Sequence, residues 1–170
     1  MKDNFEQCIA LVLREEGGFV NNPHDPGGMT NMGVTKASWE MYVQHPVTED
    51  EMRKLTLADV IPFYRTNYWD TIRGDSLPDG IDYAVFDMAV NSGVGRAAKT
   101  LQAVLGVKAD GSIGPATIAA CEAANARDVT TQFCEKRLAF LQGLPTWNTF
   151  GKGWGSRVAR VEELAFKMAS

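Results

Sequence analysis

The strongest constraint on this chain lies in residues 17–35, GGFVNNPHDPGGMTNMGVT, where five glycines and two prolines fall within nineteen positions. No helix survives that density of breakers. The residues before it nevertheless read as an amphipathic helix, and most of those after it read as helices too. The chain is therefore expected to be mainly α, a helical body interrupted early by a small β-hairpin. Short strands are predicted around Phe19–Val20 and Asn31–Val34. Asp25-Pro26-Gly27-Gly28 reads as a turn, with Pro fixing one φ and Gly free to take a positive one.

Helix signals elsewhere are local. A first helix is expected over about 3–16. Thr48 with Glu51, and Thr56 with Asp59, have capping-box spacing, a hydroxyl at the N-cap and an acid three residues on. Further helices are expected over about 79–91, 94–105, 129–142 and 155–168, with Gly106 ending the second of these and Pro115 opening another between it and the third. The weakest boundary lies near Gly93–Arg96. It separates an N-terminal region, 1–93, from a helical region, 94–170, the two expected to pack as one compact unit.

With 170 residues the chain can bury a substantial core, and its 45% hydrophobic and 22% charged content is ordinary for a soluble protein. The net charge of -4 gives no basic field, so nucleic acid is not an expected partner. No segment reaches the roughly 18 apolar residues of a membrane span, so stable membrane insertion is not expected. The apolar run Ile9–Leu13 is short and follows acidic as well as basic residues, which does not read as a signal peptide. The chain is expected to be held in the cytoplasm. Three cysteines, Cys8, Cys121 and Cys134, lack C-x-x-C spacing and read as buried reduced thiols.

Glu16 stands out within the first helix. At about 100° per residue, Phe5, Cys8, Ile9, Val12 and Leu13 form one apolar stripe. Glu16 follows Val12 by one helical repeat and projects from near the centre of that stripe, whereas Glu15 and Arg14 turn away. Desolvation penalises a charged carboxylate in such a place, which suits a general acid. Gly17 and Gly18 end the helix and leave room beside the carboxyl. The alternative is that Glu16 closes the helix and pairs with an arginine. Glycoside hydrolysis uses two carboxylates, and Asp25, in the glycine-rich hairpin, is the candidate second one, with Thr30 as a candidate to hold water. Asp25 could equally serve only its own turn.

These residues carry a resemblance. Glu15-Glu16-Gly17-Gly18-Phe19, then Asn22-Pro23, Asp25-Pro26-Gly27-Gly28 and Thr30-Asn31-Met32-Gly33-Val34-Thr35, resemble glycoside hydrolase family 108, phage endolysins and related bacterial muramidases. The likeness continues through Tyr64-Arg65, Tyr68-Trp69-Asp70, Phe86-Asp87 and Val90-Asn91-Ser92-Gly93. It implies a lysozyme-like fold with the hairpin beside an active-site cleft. It also implies cleavage of the β-1,4 bond between N-acetylmuramic acid and N-acetylglucosamine. Glu16 matches the family's catalytic Glu. Phage lysozymes more widely place an Asp nine residues after that Glu and a Thr six further on. Asp25 keeps the first spacing, while Thr30 comes five after Asp25. Asn91 and Gly93 look like a cleft-lining segment, or simply a helix end. Tyr64 and Tyr68 are candidate sugar platforms, as is Trp69, which reads more readily as core.

In the C-terminal part, Leu101-Gln102 with Leu105-Gly106, then Asp110-Gly111, Ile113-Gly114-Pro115 and Thr117, resemble a peptidoglycan-binding repeat. The same pattern is also a sound way to join two helices. The resemblance implies no metal or organic cofactor, peptidoglycan glycan strands as partner, a holin for export to the periplasm, and a monomer.

Other readings weigh less. A zinc amidase would need ligands beyond His24 and His45, the two histidines, which form neither H-x-x-x-H nor H-E-x-x-H. A Cys/His peptidase would need a reactive thiol, and Cys8 falls on the apolar stripe. A non-catalytic wall-binding or secretion-accessory protein would not need Glu16 and Asp25.

Overall fold

The computed structural model describes residues 4–21 and 28–169. Asp25 and His24 lie outside them. The described residues pack as two compact units, one within Glu6–Asn67, the other formed by Phe5 with the chain from Tyr68 onward. The helix Ile81–Ser92 has nine of its twelve residues buried and so forms the centre of the C-terminal unit.

In the first unit, helix α1 (Phe5–Glu15) buries Cys8, Ile9 and Val12, as its stripe predicts. Three strands follow, β1 (Val20–Asn21), β2 (Met29–Asn31) and β3 (Val34–Thr35), in an antiparallel meander. Val20 faces Thr30, Thr30 faces Thr35 and Asn31 faces Val34. The stretch Asn31–Val34, expected as a strand, is instead a tight turn joining two. Met32 and Gly33 both take positive φ, 51° and 79°, as a two-residue turn between antiparallel strands requires. Helices α2 (Lys36–Val43), α3 (Glu49–Arg53) and α4 (Leu57–Tyr64) complete the unit. Thr35, Thr48 and Thr56 cap them through their side chains, and Asp59 returns the bond to the Thr56 backbone N–H at 2.8 Å, closing the expected capping box. Pro62 lies inside α4, and beyond Tyr64 the helix widens into a π turn, Arg65–Trp69, through which the chain passes to the second unit.

In the second unit α5 (Ile81–Ser92) packs against α6 (Val94–Leu105), α8 (Ala126–Gln142) and α9 (Trp147–Met168), with α7 (Pro115–Ala123) against α6 and α8. Phe5, Trp69 and Phe86 meet in one aromatic cluster, with ring centroids 5.2–6.0 Å apart. Trp69 is fully buried and donates its indole N–H to Asp75 at 2.8 Å, which makes it core rather than a sugar platform. Asp87, wholly buried on α5, receives Arg137 from α8 at 2.6 Å and both Nε and Nη2 of Arg157 from α9 at 3.1 and 3.0 Å. Three helices are thus pinned to one carboxylate. Helix α9 starts eight residues earlier than Gly155, where the sequence placed it. A Cβ on Gly151 would lie 2.5 Å from the Trp147 ring, so the glycine that reads as a breaker is the seat of an indole. Among the described residues no helix is long and apolar enough to cross a membrane.

Candidate active site

Glu16 is the first residue beyond α1, half-buried where the helix stops. Its carboxylate lies against the turn of the β2–β3 hairpin. A Cβ built on Gly33 would stand 2.8 Å from Glu16 Oε2 and 2.7 Å from the hydroxyl of Tyr64. Carboxylate and phenol therefore converge on the one position in the turn that lacks a side chain. Tyr64 donates to the carbonyl of Met32 at 2.6 Å, so α4 holds this turn from below. Positive φ and close approach both require glycine at position 33.

On the other side of Glu16 the chain is open. A Cβ at Gly17 or Gly18 would meet none of the described residues within 4 Å. Space beside the carboxyl is as expected, but no neighbour forces glycine there. Phe19 lies under the Arg53 guanidinium, 4.2 Å from its ring centroid, and Asn21 donates to Glu49 at 3.1 Å. These contacts tie the segment that leaves Glu16 to α3. Asn31 is buried and donates to the carbonyl of Met52 at 2.8 Å, which fixes β2 to the same helix.

Thr30, half-buried at the centre of β2, points to the face opposite Asn31 and Val34. The structure thus gathers Glu16, Gly33, Met32 and Tyr64 around the hairpin, and places Thr30 in the same small sheet. Tyr64 differs from expectation. Its ring is 1% exposed and packed edge-on to Phe63, so it offers no face to a sugar, and only its hydroxyl reaches the site. In the sequence Gly33 stands out only as part of a motif. The signal available was a lone glycine ending a short polar turn.

The remaining candidates belong to the second unit. Tyr68 is half-buried in the π turn. Asn91 is exposed near the end of α5, and its side-chain oxygen accepts from Arg137 at 3.3 Å, which links it to the Asp87 cluster. Gly93, at φ 99° and ψ 148°, ends α5 and begins α6. That conformation is glycine's, so its place in the motif has a backbone cause.

The repeat-like motif of the C-terminal unit is also accounted for locally. Gln102, buried, donates to Asp110 at 2.9 Å, to the Ser112 carbonyl at 3.0 Å and to Thr117 at 3.2 Å, and accepts from the Gly111 N–H at 2.9 Å. The Ser112 N–H and Gln102 hold the Asp110 carboxyl below its usual range.

The cysteine thiols are structural. Burial pushes the Cys121 thiol up to about 11 and the Cys134 thiol up to about 12, which makes poor nucleophiles of both. Cys8 is fully buried. His45 is exposed, with Nδ1 2.9 Å from the Pro46 carbonyl. Among the described residues no three His, Cys, Asp or Glu side chains cluster as metal ligands would.

The model of glycosyl hydrolase 108 matches residues 9–93, the part of the chain that carries Glu16, Gly33 and Tyr64. The chain belongs to glycosyl hydrolase family 108. A second family model, a predicted peptidoglycan domain, matches residues 96–159 of this family 108 hydrolase. A solved structure of SagA from Brucella abortus superposes with a TM-score of 0.90 at 44% identity, covering 98% of this hydrolase and 95% of SagA. No curated protein matches the sequence. The family 108 hydrolase has the expected mainly α, lysozyme-like fold. It is a glycoside hydrolase that acts on peptidoglycan.

Proposed function

We propose that the enzyme is a lysozyme-type N-acetylmuramidase, cutting the β-1,4 bond between N-acetylmuramic acid and N-acetylglucosamine, with Glu16 as general acid. The placement of Glu16 supports this reading. It is a half-buried carboxyl at the end of a helix, walled by Gly33 and Tyr64 and open toward Gly17 and Gly18. Glu16 gives its proton to the bridging oxygen as the C1–O bond breaks, leaving positive charge on the muramic acid ring. Water then adds at C1. In this reading Asp25 takes the water's proton, or stabilises the ring cation while the Glu16 carboxylate takes that proton back, and Thr30 orients the water. Tyr64 acts by holding the turn against which Glu16 rests. Tyr68, Asn91 and Gly93 are proposed to contact the glycan strand.

The decisive experiment digests purified Gram-negative peptidoglycan, reduces the products with borohydride and identifies the new ends. Muramitol from wild type, and none from a folded Glu16→Gln protein, supports the muramidase. Glucosaminitol ends would place the cut on the other glycosidic bond. Equal release by both proteins removes Glu16 from the chemistry.

On the same reading the enzyme acts as a monomer in the periplasm after a holin releases it, as the resemblance to phage endolysins implies. Lysis timing in cells expressing the enzyme with and without a holin tests this. Lysis that does not depend on the holin overturns it.

A further inference from the structure

Helices α6 and α8 frame an open groove of about 670 Å³ in the C-terminal unit. That volume is in the range of small-ligand sites, roughly 300–1,000 Å³. Arg96, Lys99 and Lys136 line it, with Ala103, Ala139 and Phe140 among the small and apolar residues between them, and no carboxylate is among the lining residues. In a chain of net charge -4 this concentration of one sign is a local feature.

The cations are held in different ways. The Arg96 guanidinium sits 4.2 Å above the Phe140 ring and is therefore fixed over the groove wall. The Lys99 stem lies against Gly111, where an added Cβ would be 3.3 Å from Lys99 Cε. Among the described residues neither Lys99 nor Lys136 forms an ion pair. Arg96 and Lys99 are three residues apart on α6 and so share a face. Gly95, in the first turn of α6, lines the same groove, and the N-cap of that helix is Gly93, which has no side-chain acceptor. The positive end of the helix adds to the field.

The repeat motif does not supply this surface, because Gln102, Asp110 and Thr117 spend their polar groups on one another. N-acetylglucosamine is neutral and the lactyl carboxyl of N-acetylmuramic acid is tied up in the amide to its stem peptide, so the free anions of peptidoglycan are chiefly the carboxylates of the stem peptides. Short methyl-bearing residues such as alanine, common in those peptides, suit a floor of alanines. We infer that the α6–α8 groove binds the carboxylates of the wall's stem peptides, so that the C-terminal unit reads the peptide while the hairpin site reads the sugar. The inference rests on peptidoglycan being the substrate.

The test titrates wild type and a Lys99→Glu/Lys136→Glu variant with three soluble probes, followed by amide NMR shifts and calorimetry. The probes are a disaccharide-tetrapeptide, the same disaccharide with its lactyl carboxyl capped as the methylamide in place of the peptide, and inorganic phosphate. Both lysines are exposed, so the variant should keep its far-UV circular dichroism and melting midpoint. The tetrapeptide-bearing probe should shift amides on α6 and α8. The variant should bind it at least about tenfold more weakly, as should wild type in about 0.5 M salt. Equal binding of the peptide-free disaccharide, equal binding by the variant, or phosphate binding as tight as the peptide would each overturn the inference. These probes are not cleaved at a muramic acid linkage. Peptide binding without muramitol release would therefore remove the muramidase and keep the groove, and muramitol release without peptide binding would do the reverse.

Discussion

The carboxylate of Glu16 occupies the space that a side chain on Gly33 would need, with Oε2 2.8 Å from the position of the missing Cβ. The general acid of the proposed reaction is thus positioned by a glycine two segments away. Gly33→Ala introduces a contact with Glu16 and a non-glycine residue at φ 79°. The backbone strain costs about 1–3 kcal/mol. Displacement of the carboxyl should lower the rate by about a hundredfold in protein that is still folded. Reducing-end release per folded molecule, beside a denaturant melt, measures both. A stable Gly33→Ala enzyme with full activity would separate the turn from the acid.

Tyr64 reaches the same turn from below. Its hydroxyl donates to the Met32 carbonyl at 2.6 Å, and Met32 is held at φ 51°, a conformation that side chains of its size avoid. Tyr64→Phe keeps the buried ring and deletes only the donor. The expected loss of stability is about 1–2 kcal/mol, one hydrogen bond and an unsatisfied carbonyl. Activity should fall with it while KM changes little, because the phenol holds the acid's neighbour and the ring does not touch substrate. A large rise in KM at unchanged kcat would instead make Tyr64 a substrate contact.

Where a feature depends on near neighbours in sequence, it was readable. The stripe residues Phe5, Cys8, Ile9 and Val12 are buried, Thr56 and Asp59 form their box, and α6 runs over the residues expected of it. Features that depend on distant segments were not. Nothing local distinguishes Tyr64 as a buried clamp from a surface platform, since an aromatic near a helix end serves either way. Gly151 reads as a breaker until the Trp147 indole is seen lying on it. Asp87 finds its partners fifty and seventy residues later. The hairpin turn was misplaced within its own segment, because a strand pattern and a two-residue turn with one glycine overlap over four residues.

That long-range cluster makes a strong prediction. Asp87 forms ion pairs with both Arg137 and Arg157, and Arg137 Nε is already buried without a hydrogen-bond partner among the described residues. Asp87→Asn removes the charge that buried Arg137 and Arg157 both contact. The expected cost is about 3–5 kcal/mol, enough to unfold the C-terminal unit of a marginal protein. Asn91, which accepts from Arg137, should lose its fixed orientation as well. Equilibrium urea unfolding measures the cost. A loss below about 1 kcal/mol would show that the arginines find water instead.

Asp82 predicts a pH dependence of the opposite sense to that of most carboxylates. It is buried near the start of α5, where burial raises its pKa to about 6 against the hydrogen bonds from Asn4 and the Tyr83 and Gly80 N–H groups, with nearby Asp79 adding to the rise. Between pH 3.8, its ordinary value, and about 6 the folded chain holds a proton that the unfolded chain has released. Stability therefore falls as pH rises through that window, and above it the folded state carries the whole penalty, about 3 kcal/mol. Asp82→Asn removes the titration while keeping an oxygen for the two backbone donors, and Asn4 can turn its amide to suit the new partner. The variant should be more stable than wild type at pH 7 to 8, and the gap should close toward pH 4. Urea unfolding of both proteins at several pH values reads the difference directly. A gap that stays constant across that range would show that Asp82 is ionised in the folded protein throughout.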